Sequence, residues 1–111
     1  MTVKEFADRF SLKVLSEGED RTINGGFCGD LLSWVMANAR MDNAWFTVMG
    51  NINAVAVASL NDVACIVLCQ NSRIMDNALE KAKEEEIWVL STERSCFDIS
   101  GELFALLNND R

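Results

Sequence analysis

From Trp45 onward, short apolar runs of strand-forming residues alternate with longer segments of helical character, and this alternation constrains the fold more than any other feature. Trp45-Phe46-Thr47-Val48-Met49, Val63-Ala64-Cys65-Ile66-Val67-Leu68-Cys69 and Ile87-Trp88-Val89-Leu90 read as strands, rich in β-branched and aromatic residues and bounded by turn signals. Ile74 to Glu86 is predicted helical, with Ile74, Ala78, Leu79 and Ala82 inward and its Glu and Lys residues on a solvated face. Phe97 to Leu107 is a last amphipathic helix through Ile99, Leu103, Phe104 and Leu107. Ala54 to Leu60 is ambiguous: alternating Val favours a strand, alternating Ala and a cap at Asn53 favour a helix. The strand at Val63 needs a crossover before it, so a helix is predicted. Strand, helix, strand, helix, strand, helix is the order of right-handed βαβ units, and it predicts a three-layer α/β domain, a mostly parallel sheet of about four to five strands with helices on both faces.

The earlier part of the chain is less regular. Thr2 is a plausible N-cap for a helix over Val3 to Phe10, with Val3, Phe6, Ala7 and Phe10 on one stripe, and Leu12 to Leu15 alternates like a short strand. Ser16 to Glu19 reads as loop, and Ile23 with Phe27-Cys28 as a short strand or irregular turn. Leu31 to Ala39 is predicted helical, with Leu31, Leu32, Val35, Met36 and Ala39 inward. Asn108 to Arg111 is expected to fray. At 111 residues the chain is expected to form one domain over 1–111, large enough to bury a core without staples.

Between the two halves lies Asp20-Arg21-Thr22-Ile23-Asn24-Gly25-Gly26-Phe27-Cys28-Gly29-Asp30. Its glycines permit positive φ and close backbone approach. Asp30 is a good N-cap, and the helix behind it would aim free N–H groups at an anion that Arg21 could clamp. An ordinary turn into a helix has the same appearance. Ligands of parallel sheets also sit beyond the carboxyl ends of the strands, which makes candidates of the loops Gly50 to Asn53, Gln70 to Arg73 and Ser91 to Ser95, with Asn51, Asn53, Arg73 and Arg94 in them.

A net charge of −7 and a pI near 4.4 argue against a nucleic-acid partner and against anionic lipid. The apolar stretch Ala44 to Leu60 is broken by Gly50-Asn51 and Asn53, too short for a membrane span. The charged N-terminus, with Lys4, Glu5, Asp8 and Arg9, does not resemble a signal peptide, so a cytoplasmic location is expected. The four cysteines lack metal-ligand spacing; Cys65 and Cys69, on one face of a strand, are expected to be reduced and buried.

Asp20-Arg21-Thr22 followed by Gly25-Gly26, then Gly29-Asp30-Leu31-Leu32-Ser33, Ala54-Val55-Ala56-Val57-Ala58 and Ile87-Trp88-Val89-Leu90-Ser91-Thr92, in this order over nearly the whole chain, resemble a stand-alone DRTGG domain. Ile23-Asn24 interrupts the namesake run, and Asn51 stands where the family pattern would have a histidine. The resemblance implies an α/β fold similar to the N-terminal domain of HPr kinase/phosphorylase and to the uridine-nucleotide-binding domain of the Mur ligases. It also implies a regulatory module, found beside catalytic or CBS domains and in some cases dimeric. Asp20, Arg21, Thr22, Gly25 and Gly26 match its motif.

The chain contains no histidine, which removes Ser-His and Cys-His nucleophile activation, and no Gly-Lys-Ser/Thr loop for phosphoryl transfer. No enzymatic role, cofactor or metal is expected. Two readings remain. One is a regulatory sensor of a nucleotide or similar small anion, acting on an unknown regulated protein. The other is a pure interaction module, a homodimer or a partner's docking site, burying Phe27, Trp34 or Trp45.

Overall fold

In a computed structural model describing Met1 to Asn109, the chain forms a five-stranded sheet between two helical layers. The elements are α1 (Val3–Arg9), β1 (Lys13–Ser16), β2 (Gly25–Cys28), α2 (Leu32–Asn38), β3 (Asn43–Thr47), α3 (Ile52–Asn61), β4 (Cys65–Leu68), α4 (Asp76–Glu84), β5 (Trp88–Ser91) and α5 (Cys96–Leu107). The sheet order is β1-β5-β4-β3-β2, with β2 to β5 parallel and β1 antiparallel against β5. The predicted frayed tail over 108–111 lies partly outside the described residues. Asn108 itself caps α5.

Side-chain alternation along the strands builds two cores. Ala44, Phe46, Cys65, Val67, Cys69, Trp88 and Leu90 face α1 and α5. Trp45, Ile66, Leu68 and Val89 face α2, α3 and α4. Both faces are covered, which is why β3 to β5 read as continuous apolar runs rather than alternating ones. Cys65 and Cys69 share the α1/α5 core, as their spacing predicts. The strand order 2-3-4-5 never reverses, so all three crossovers stack on one face and only α5 returns over the other, reaching β2 and β3.

Several elements shift from their predicted bounds. Ala54 to Leu60 is helical, but Asn51 is the cap, its side chain accepting from the Ala54 N–H at 2.9 Å; Asn53 lies exposed in the first turn. The helix after Asp30 is only Leu32–Asn38 and buries Val35, while Leu31, Trp34 and Met36 stay in water. Phe104 also points out of α5 rather than in.

Candidate functional site

Gly25 and Gly26 do not form a turn. They are the first half of β2, paired with Asn43 and Ala44 of β3, and no glycine among the described residues has positive φ. Left-handed backbone is carried instead by non-glycine residues, including Asp42 and Asp62 just ahead of β3 and Val63. The glycine at 26 has a packing reason: a Cβ there would come within 3.2 Å of the Phe46 ring and 3.3 Å of the Ala44 carbonyl.

Asp30 does not cap α2. Leu31 holds that position without a side-chain bond, whereas the Asp30 carboxylate accepts from the Thr47 hydroxyl at 2.6 Å and the Val48 N–H at 2.9 Å. It ties the end of edge strand β2 to the end of β3. With seven residues, α2 offers no cradle for an anion.

Arg21 is not free to clamp a ligand. Its Nε and Nη2 donate to Asp42 Oδ1 at 2.9 and 2.6 Å, its Nη1 to Asp62 Oδ1 at 2.7 Å, and its Nη2 to the Asp62 carbonyl at 2.9 Å. Burial works against the guanidinium's charge, but these carboxylates outweigh it and raise its pKa, so Arg21 stays charged. Asp20 and Thr22 flank it on the surface; Thr22 bridges Thr2, and the Val3 N–H donates to the Arg21 carbonyl. Asp20-Arg21-Thr22 therefore sits at the amino ends of the parallel strands and Asp30 at their carboxyl ends, with Gly25-Gly26 between.

The strand-end loops are likewise occupied. Arg94 pairs with Glu102 of α5, which raises the Arg94 pKa and lowers that of Glu102. Arg73 is exposed with no ion pair among the described residues, and its carbonyl abuts Gly50, where an added Cβ would fall 1.9 Å from it. The backbone joins two of these loops, as Gln70 and Asn71 N–H groups donate to the Arg94 and Thr92 carbonyls at 2.9 and 3.0 Å. Because the winding never reverses, no switch-point crevice opens among β2 to β5.

The structure does build a groove elsewhere, about 760 Å³ in volume, between edge strand β2 and α5. Gly25, Gly26 and Cys28 with Phe46 line the sheet side; Phe97, Gly101 and Phe104 line the helix side. Phe97 is 86% exposed and Phe104 70% exposed. Among the described residues no charged one lines the groove. Its polar side chains spend donors internally: Asn24 on the Met41 carbonyl, Ser100 on that of Phe97, Asn108 on that of Phe104. The site is thus suited to a flat apolar group stacked on phenylalanine, not to a phosphate. Phe97, Gly101 and Phe104 were outside the predicted site, although their i, i+4, i+7 spacing marks a second stripe beside Ile99 and Leu103.

Thiols gather at the Cys28 end. The Cys69 thiol donates to the Val67 carbonyl at 3.6 Å, and burial is the main reason Cys69 and Cys96 are both pushed up from the ordinary thiol value. Burial raises Cys65 to about 12. These three remain protonated at neutral pH and are poor nucleophiles. Among the described residues no group of three or more Cys, Asp or Glu is placed to hold a metal, and no helix is long and apolar enough to cross a membrane.

No protein-family model and no curated protein matches the chain. Among solved structures, it is similar to the CBS and DRTGG domains of the regulatory region of Clostridium perfringens pyrophosphatase, crystallised with the activator diadenosine tetraphosphate. The TM-score is 0.70 at 14% identity, over 90% of this chain and 44% of that one. The chain therefore spans less than half of that structure, and the likeness is one of α/β fold.

Proposed function

We propose that this chain is a non-catalytic regulatory module of DRTGG type that holds a nucleotide or similar small ligand and acts on a partner protein. The observation that carries the reading is the groove between β2 and α5, whose Gly25-Gly26 side and exposed Phe97 and Phe104 would accept a nucleobase. The anionic part of such a ligand would lie outside the groove. Arg94 is spent on Glu102, so Arg73, exposed and without an ion pair among the described residues, is the cation this end of the sheet offers. Support comes also from the similar regulatory region, whose activator is a dinucleotide.

Gly101 provides the test, because a Cβ built there meets nothing within 4 Å. Gly101→Leu fills the groove from a helix position that gains propensity. Melting temperature is read against AMP, ATP and diadenosine tetraphosphate. A nucleotide at about a hundred times its Kd stabilises by about 2.7 kcal/mol. Wild type is expected to respond to at least one of them and Gly101→Leu to none. Flat curves for all three, or a response that survives Gly101→Leu, refute the groove as a nucleotide site.

The same two phenylalanines favour a second reading, in which a homodimer covers α5 and the unpaired outer edge of β2. A concentration-dependent mass in sedimentation that Phe104→Ser abolishes would select it.

A further inference from the structure

Helices α2 to α5 each begin just beyond the carboxyl end of a parallel strand, and each of the four junctions presents a large apolar side chain to solvent. Leu31 caps α2, Ile52 opens α3, Met75 caps α4, and Phe97 is the second residue of α5; Val48 joins them directly after β3. All five are exposed. Since β2 to β5 run parallel, these residues share one end of the sheet.

Local structure does not require them. Leu31 and Met75 occupy cap positions where a hydrogen-bonding side chain is preferred, and neither makes a capping bond. The helix that follows no parallel strand, α1, has a complete capping box on Thr2. Two helix ends thus forgo stabilisation while exposing hydrocarbon. An apolar end of this kind marks an interaction surface.

The charges around it indicate what docks. Asp30, Asp76, Glu93 and Asp98 are exposed at the same end against Arg73, while Arg94 is neutralised by Glu102. An acidic border disfavours a second copy, whose border would repel, and an anionic bilayer for the same reason. We infer that this end docks a partner protein offering an apolar patch bordered by Lys and Arg, as on a basic amphipathic helix. The inference deepens the partner half of the reading above and, apart from Phe97, shares none of its apolar residues with the groove.

The probe is a synthetic amphipathic helix of Leu and Lys, titrated calorimetrically into the full chain beside its Leu and Glu counterpart, at low and high salt. The Leu/Lys peptide is expected to bind, more weakly as salt rises, and the Leu/Glu peptide not to bind. The double variant Ile52→Gln, Met75→Gln keeps the wild-type circular dichroism and melting temperature and binds about 100-fold more weakly, two interface contacts each contributing about tenfold. Undiminished binding to the double variant would move the peptide to the acidic face of α4 and overturn the assignment. So would no binding at all. Self-association lost in the double variant would give this end to a second copy, and co-sedimentation with anionic vesicles lost in it would give it to a membrane; either result overturns the proposal. Gly101→Leu, tested in parallel, leaves peptide binding unchanged, so failure of the groove and failure of this surface are read separately.

Discussion

Replacing Arg21 with alanine separates a ligand clamp from a structural staple, and the geometry sets the size of the effect. The guanidinium is 23% exposed, with Asp42 at 31% and Asp62 at 58%. The doubled bond to Asp42 is half sheltered and charge-assisted, which corresponds to about 1.5–2 kcal/mol. The bond to Asp62 is largely in water, about 0.5 kcal/mol, and that to the Asp62 carbonyl adds about 0.5–1 kcal/mol. The total is about 3 kcal/mol. For a domain of this length that lowers the melting temperature by about 10–12 °C. The staple also holds Asp42 and Asp62 in left-handed backbone, at φ of 66° and 55°, where the chain turns into β3 and toward β4. Thermal and urea melts measure the loss. A double-mutant cycle with Asp42→Asn should return a coupling of at least about 1 kcal/mol, larger than the cycle with Asp62→Asn. A melting temperature within about 3 °C of wild type, with any nucleotide response abolished, would refute the staple and restore Arg21 as a clamp.

Gly50→Ala should cost about 3 kcal/mol or more in a urea melt, because its Cβ would lie 1.9 Å from the Arg73 carbonyl oxygen and 2.8 Å from the Ile74 Cα, both backbone atoms; a cost under about 1 kcal/mol would show that the two loops part easily. At pH 8 a disulfide reagent such as DTNB should modify exposed Cys28 promptly and Cys65 and Cys69 only after denaturation, so a prompt count above two thiols contradicts the burial described. With the folded Cys65 near 12 and Cys69 also raised, keeping these thiols protonated contributes fully below the unfolded value of about 8.5 and is lost as pH rises toward the folded value. Melting temperature is therefore expected to be level between about pH 7 and 8 and to fall above about pH 9.

The α/β class was legible because burial on both faces leaves a mark at the scale of single strands. Val63 to Cys69 has no polar side chain, and only a strand covered by helices on both sides tolerates that. The helix at Ala54 to Leu60 was decided by topology rather than propensity, since a parallel partner demanded a crossover. The site was less legible. Gly25-Gly26 lies in a strand because β3 supplies its hydrogen bonds, and Asp30 is drawn from α2 by Thr47, 17 residues downstream.

What the order of residues determined alone is therefore local and periodic: where strands and helices form, which faces are apolar, and that chemistry requiring histidine is absent. What only the tertiary structure decided is the pairing of groups distant in the chain. Arg21 meets Asp42 and Asp62, and α5 crosses back to roof β2, because a sheet wound in one direction brings amino-end loops together and leaves one face to the first and last helices. Whether a charge is a clamp or a staple depends on which partner the fold places within about 3 Å of it, and no spacing in the sequence encodes that distance.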